Sequence, residues 1–290
     1  MVTIKCILCN VDDADFFIED EGFTAVKCKR CGLMYVNPRP EFEESKERYN
    51  DSYLTEAEEH IATIDENILR AKLDLELIKR YKKEGRMLEI GCAEGSFLAE
   101  AKKSGYEPYG LEINKKFIEY ARNKYQLANI FEQDILESSF PERHFDIIYM
   151  RGVLCHIHDP IKELNKINKF LKDDGVFICV TGNIGSLSIG RIRKYRNFIH
   201  LNLSQHLFHY SEDNLRTLFN KAGFRIERIY RFSGYLEECS GLFYRILNCI
   251  LKKELSIRAL NFIRVLLGKL WLKKDILLYV TIFASKDKSQ

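Results

Sequence analysis

Met87, Leu88 and Ile90 form a short apolar run that stops at Gly91-Cys92-Ala93-Glu94-Gly95. The run reads as a buried strand and the glycines as a turn. Ser96–Lys103 follows with helical spacing, and residues 107–111 read as a second strand ending in Glu112. The alternation continues along the chain. Residues 145–150 read as another strand. Asp159-Pro160 opens a helix as N-cap and first-turn proline. Leu164, Ile167 and Leu171 give that helix one apolar face, and Asp174-Gly175 is expected to end it. Residues 176–180 read as the next strand. Ser211 caps a helix carrying Leu215, Leu218, Phe219 and Ala222, stopped by Gly223. Residues 225–232 and 276–284 read as the last strands. Upstream, Ile61, Ile64, Ile68, Ala71, Leu75 and Ile78 recur at three- and four-residue steps, the mark of an amphipathic helix. The pattern is that of an open α/β sheet.

Strand, glycine turn, helix, strand and acid is an arrangement that binds a nucleotide. Glycines let backbone approach a ligand closely. Free N–H groups at a helix start attract an anionic group. An acid about 20 residues past the first glycine can accept ribose hydroxyls. A dinucleotide fingerprint needs G-x-G-x-x-G, and a P-loop needs G-x-x-x-x-G-K-[ST]; the chain offers neither here. The bland alternative is a glycine turn that only lets a helix pack on a sheet.

Glu89-Ile90-Gly91-Cys92-Ala93-Glu94-Gly95 resembles motif I of the class I S-adenosylmethionine (SAM) methyltransferases, with Ala93 in place of the middle glycine. The resemblance runs over about residues 85–235. Gln133-Asp134-Ile135 stands where that family meets the adenine amino group. Gly152-Val153-Leu154-Cys155-His156-Ile157-His158-Asp159-Pro160 is similar to the V-L-E-H-x-x-D-P segment of small-molecule and glycan methyltransferases, with Cys155 replacing Glu. Ser204-Gln205-His206-Leu207 resembles their Q-H-L segment. The resemblance implies a Rossmann-like seven-stranded sheet and a SAM site formed by Glu89, Gly91, Ala93, Gly95, Glu112, Ile113, Asp134, Ile135 and Met150. The loop would hold the methionine part and Glu112 the ribose. It also implies a pocket-covering helix, with Tyr49 and Tyr53 at the lid or simply packed. His156 and His206 are the candidate catalytic residues, since a hydroxyl nucleophile needs a base and histidine suits that role; His156 alternatively only fixes its loop. His158 and His209 rank behind them.

The N-terminus carries a second pattern. Cys6-x-x-Cys9 and Cys28-x-x-Cys31 are two knuckles with the same gap, and four thiolates so spaced can surround one tetrahedral zinc. A unit of this size has too little core to fold alone, and metal would stabilise it. Four unrelated buried cysteines is the alternative reading. Residues 31–40, CGLMYVNPRP, resemble a stretch that precedes the catalytic domain in glycan-modifying methyltransferases. The remaining cysteines, at 92, 155, 179, 239 and 249, share no spacing. The expected organisation is a zinc-ribbon-like module at 1–40, a helical linker or lid at 41–84, and a methyltransferase domain at 85–290 with a helical insertion near 237–274.

Composition adjusts this picture only slightly. The 290 residues are 46% apolar, enough for a sizeable core, and the formal charge is +3. That balance argues against a broad nucleic-acid surface. No leader-like apolar segment or membrane span is read, so the expected location is the cytoplasm. The 237–274 segment either packs on the sheet or forms a basic amphipathic surface that contacts lipid at the inner membrane face. The expected activity is methyl transfer to a sugar hydroxyl of a nucleotide-linked or lipid-linked glycan, with SAM as cofactor and structural zinc. An rRNA or tRNA methyltransferase with a zinc module and a non-catalytic SAM-fold scaffold are the alternatives. The acceptor atom and the oligomeric state are not legible.

Overall fold

The structure, a computed structural model, describes residues 1–47, 63–184, 201–233, 257–260, 262–263 and 278–287. Tyr49, Tyr53, Ile61, Cys239, Cys249 and most of the 237–274 segment lie outside the described residues.

The N-terminal segment contributes β1 (Ala14–Asp20), β2 (Phe23–Cys28) and β3 (Met34–Val36). Glu21 and Gly22 both have positive φ, as a tight hairpin turn between β1 and β2 requires. Helix α1 (Ile64–Ile78) follows. Then come β4 (Gly85–Ile90), α2 (Ser96–Lys103), β5 (Tyr106–Glu112), α3 (Lys115–Tyr125), β6 (Ile130–Glu132), β7 (Phe145–Arg151), α4 (Pro160–Phe170), β8 (Leu171–Asn183), β9 (Phe208–His209), α5 (Glu212–Lys221), β10 (Phe224–Ser233) and β11 (Leu278–Lys286).

The main sheet has seven strands in the order β10-β11-β8-β7-β4-β5-β6. Neighbours from β8 to β6 pair in parallel, and β11 is antiparallel to both β8 and β10. Side chains alternate between two cores, as a period of two demands. Leu88, Ile90, Ile148 and Met150 meet Leu164, Ile167, Leu215 and Leu218 on one face. Met87, Ile147 and Tyr149 meet Leu75, Ile78, Phe97, Leu98 and Ile118 on the other. Both faces are covered, which is why β7 is buried along nearly its whole length. The chain builds outward from β4 through β5 to β6, then crosses to β7 on the other side. That reversal opens a crevice at the carboxyl ends of the strands.

Local chemistry fixes the helix starts. Asp159 accepts from Lys162 N with Pro160 in the first turn, Asn114 accepts from Lys116 N and Phe117 N, and Ser211 forms a reciprocal capping box with Asn214. One expectation fails. Asp174-Gly175 does not end α4, which closes at Phe170 with Leu171 already extended. Leu171 joins the ladder opposite Phe145, and the register then jumps so that Val176 faces Ile147. Residues 172–175 are thus a bulge inside β8. Gly175 is needed there, because a Cβ would come 2.8 Å from the Leu171 side chain.

The N-terminal segment is tied to the rest of the chain by its sheet. Its order is β1-β2-β3-β9, so the fourth strand comes from beyond residue 200. Tyr35 pairs with Phe208 and Met34 with His209. Cys6, Leu8, Cys28, Leu33 and Tyr35 share one core with Leu207, Phe208, Tyr210 and the main sheet.

Candidate functional site

A cavity of about 550 Å³ opens at the carboxyl ends of β4, β5, β6 and β7. That volume suits a small-molecule ligand. Its wall includes Glu89, Gly91, Ala93, Glu112, Ile113, Asp134 and Ile135, seven of the residues expected to bind the cofactor. Gly95 and Met150 are not on the wall. Gly95 is the left-handed N-cap of α2, and a Cβ there would come 2.8 Å from Ala121. Met150 is fully buried in the core of β7.

The loop after β4 has positive φ at alternate positions: Gly91 (70°), Ala93 (43°) and Gly95 (81°). Glycine is favoured at such angles, and Ala93 bears a steric cost there. Gly91 has a further constraint, because a Cβ would come 2.5 Å from Val153, just past the end of β7. Glu112 holds the loop in place. Its carboxylate accepts from Ala93 N at 2.9 Å, Ile113 N at 2.8 Å and Asn114 N at 2.9 Å. Burial raises its pKa, and the three N–H groups pull it back.

Carboxylates crowd this half of the cavity. Glu89 is buried with Oε2 lacking a hydrogen-bond partner among the described residues. Burial, then the charges of Glu94 and Glu112, push its pKa well above the carboxylate range. Glu94 Oε1 accepts from Ser96 Oγ at 2.6 Å and from Asn67 Nδ2 at 3.2 Å. Helix α1 closes over the site. Its Asp74 Oδ2 accepts from Tyr149 Oη at 2.6 Å and Arg151 Nη1 at 2.7 Å, pinning the helix to the end of β7. Sequence reading missed Asn67, Arg70, Asp74 and Glu94. The usable signal was Asp74, a charge set among the apolar positions of α1.

The opposite half of the cavity is walled by Gly152, Val153, His156, His158, Ser204 and Gln205. Here segments distant in sequence meet. Leu207 N and Phe208 N donate to Cys155 O at 2.8 and 3.3 Å, and Val36 N donates to Leu207 O at 2.9 Å. His156 and His206 stand with ring centroids 4.8 Å apart. His156 Nδ1 lies 3.1 Å from Gln205 O, and His206 Nδ1 lies 3.0 Å from Leu201 O. Burial, then the neighbouring His206, push the His156 pKa down to about 3. Such an imidazole is neutral at working pH and a weak proton acceptor. His206 itself is off the cavity wall, as is His209, which is buried. From the N-terminal segment, Arg39 Nη1 donates to His158 O at 3.0 Å.

The four N-terminal cysteines converge. Sγ distances are 3.4 Å for Cys6 and Cys31, 3.5 Å for Cys9 and Cys28, and 3.7 Å for Cys9 and Cys31. These approach the edge of about 3.8 Å that a tetrahedron with zinc–sulfur bonds of about 2.3 Å would have. They far exceed a disulfide bond length. Both knuckles fold alike. Asn10 N donates to Cys6 O at 2.8 Å and Gly32 N to Cys28 O at 2.9 Å. Asn10 and Gly32 each take positive φ directly after the second cysteine. The residues therefore fit a closed four-thiolate zinc site.

Comparison with known proteins agrees with the sheet and the loop. Residues 55–229 match the Methyltransferase domain family. The chain is 32% identical over 111 residues to phosphoethanolamine N-methyltransferase of Plasmodium falciparum, covering 36% of this chain and 40% of that protein. It is 30% identical over 124 residues to the methyltransferase YcgJ of Bacillus subtilis, covering 40% and 49%. It spans about half the length of the curated relatives it matches. Among solved structures, a SAM-dependent methyltransferase of Thermotoga maritima aligns with TM-score 0.52 at 17% identity, covering 82% of this chain and 97% of that one. Geranyl diphosphate C-methyltransferase of Streptomyces coelicolor aligns with TM-score 0.52 at 11% identity, covering 73% and 76%. The family match takes in more than half of the chain, from α1 through β4–β8 into β10; the chain belongs to the methyltransferase-domain family and carries the fold of the class I SAM-dependent methyltransferases.

Proposed function

We propose that this protein transfers a methyl group from SAM to a hydroxyl of a sugar in a nucleotide-linked or lipid-linked glycan, and that Cys6, Cys9, Cys28 and Cys31 hold a structural zinc. The observation that carries the methyltransferase reading is the wall of the cavity: Glu89, Glu94 and Glu112 surround a left-handed loop at the switch point of the sheet. When bound, SAM carries the methyl on a sulfonium cation beside an ammonium group. Clustered carboxylates favour such a cation and are themselves relieved of mutual repulsion. Glu112 Oε2, which accepts one backbone N–H, keeps lone-pair capacity for a ribose hydroxyl. Asp134 is the residue for the adenine amino group. Gly95 and Met150 act from behind the wall, by packing. Helix α1 excludes water from this half, and His156 meets the acceptor in the other. The chain's main contribution to the reaction is positioning of the acceptor oxygen in line with the methyl carbon.

The sugar assignment rests on the likeness of residues 31–40, 152–160 and 204–207 to glycan-type enzymes. The named relatives methylate phosphoethanolamine nitrogen and geranyl diphosphate carbon, so the fold leaves the acceptor atom open. A formal charge of +3 favours a small acceptor over a nucleic acid. Among the described residues no helix is long and apolar enough to cross a membrane. The test is a screen with radiolabelled SAM against nucleotide sugars, lipid-linked glycans and RNA. Label in a sugar fraction is the expected result. Strong labelling of RNA with none in any sugar would overturn the acceptor.

A further inference from the structure

Cys155, His156 and His206 form a second group of metal-ligand side chains, apart from the four N-terminal cysteines. One ligand atom from each of the three lies within 4.8 Å of the others. Their supports resemble those of a built site. Each histidine has Nδ1 within 3.1 Å of a backbone carbonyl, Gln205 O for His156 and Leu201 O for His206. A carbonyl can only accept, so Nδ1 carries the proton and Nε2 keeps the lone pair a metal would take. This is the usual outer support of a metal-bound imidazole. The two segments are also cross-braced, since Leu207 N and Phe208 N both donate to Cys155 O. Next to His206, at a ring-centroid distance of 5.9 Å, His209 is buried with Nε2 unpartnered among the described residues. Among the described residues, Cys155 Sγ makes a long 3.4 Å contact to Gly152 O.

We propose that Cys155, His156 and His206 bind a second zinc-class cation, with its open position turned to the acceptor half of the cavity. One thiolate and two imidazoles select zinc or cobalt over magnesium or calcium. Three protein ligands leave a position for an exogenous group, the pattern of zinc sites that meet substrate rather than sites that only hold a fold. His156 is the ligand on the cavity wall, so the fourth position would take an oxygen of the acceptor or a water. This last assignment rests on the methyltransferase reading; the metal site itself does not.

The test is cobalt(II) titration of the full-length, zinc-loaded protein, followed by absorbance. One equivalent of cobalt should bind beyond the resident zinc. It should show the visible bands of low-coordinate cobalt and a near-ultraviolet band of charge transfer from one thiolate. Cys155→Ser should remove the thiolate band and keep weakened visible bands. His206→Gln should weaken cobalt binding by about tenfold or more. SAM affinity, measured in parallel, should hold in both variants, as the folding control. Binding of no further equivalent, or a spectrum unchanged by both substitutions, would overturn the site. Cobalt exchanged into the four-cysteine site would give that second result. The readout needs no acceptor, so it stands or falls apart from the sugar assignment.

Discussion

The two halves of the cavity are built differently. The half proposed to hold SAM comes from consecutive pieces of chain: β4, its loop, the end of β5 and the turn after β6. Its shape is set by φ angles at 91, 93 and 95 and by one carboxylate, Glu112, that holds three N–H groups. The half proposed to meet the acceptor is assembled from residues 152–158 and 204–209, braced by the N-terminal segment through the pairing of β3 with β9. The first half therefore depends on local geometry, and the second on the N-terminal cysteines remaining together. Binding of the cofactor and handling of the acceptor should therefore separate by mutation.

Loss of the zinc proposed at the four cysteines should have the largest effect. Structural zinc contributes apparent free energy on the order of 10 kcal/mol to small modules. Cys28→Ser should release the zinc, seen by elemental analysis, and abolish methyl transfer through collapse of the β3–β9 brace. SAM affinity should fall by less than about tenfold, or 1.4 kcal/mol. Equal loss of both would break the comparison. Next in size is His156→Ala, which removes a side chain from the acceptor side of the cavity wall and should lower kcat by ~10²-fold through lost positioning with SAM affinity near normal. Full activity of that variant would remove His156 from the acceptor half.

Glu163, on the cavity wall, makes stability depend on pH. Burial first, then Asp134 and Asp159, raise the Glu163 pKa from 4.5 to about 8. The folded chain then binds more protons at this group than the unfolded chain between those pH values. Its contribution makes stability fall as pH rises through that window. Glu163→Gln should flatten the decline in chemical denaturation series between pH 4.5 and 8. An unchanged slope would show Glu163 ionised in the folded state. The smallest effect concerns the loop. Ala93 sits at φ 43°, and Ala93→Gly should relieve left-handed strain of about 1–2 kcal/mol, partly offset by chain entropy. The expected net is up to about 1 kcal/mol of stabilisation in thermal unfolding; destabilisation beyond that size would mean the Ala93 methyl packs usefully.

How much was legible follows the same division. The glycine loop, Ser96–Lys103, the Ser211 cap and Gly223 depend on neighbours in sequence, and they read directly. Paired cysteine gaps made the four-thiolate cluster visible, because equal knuckles need equal spacing. The pairing of Tyr35 with Phe208 was not visible, since two- and three-residue strands carry almost no periodic signal. The end of α4 was misplaced because Leu171 continues the helical apolar spacing, while its backbone already serves the ladder. Three backbone bonds to Glu112 could not be read, because an acid after a strand signals only a ligand. The Cys155 substitution looked like a lost carboxylate; in three dimensions it lies beside two histidines from separate segments.

Isothermal calorimetry with SAM and S-adenosylhomocysteine tests the central claim most directly. Wild-type protein should bind each at one site per chain. Glu112→Ala should weaken binding by about 1–3 kcal/mol, the scale of lost hydrogen bonds to a charged acceptor, and should do so without loss of the zinc. Absence of binding to the wild type, or equal affinity in the variant, would contradict the account.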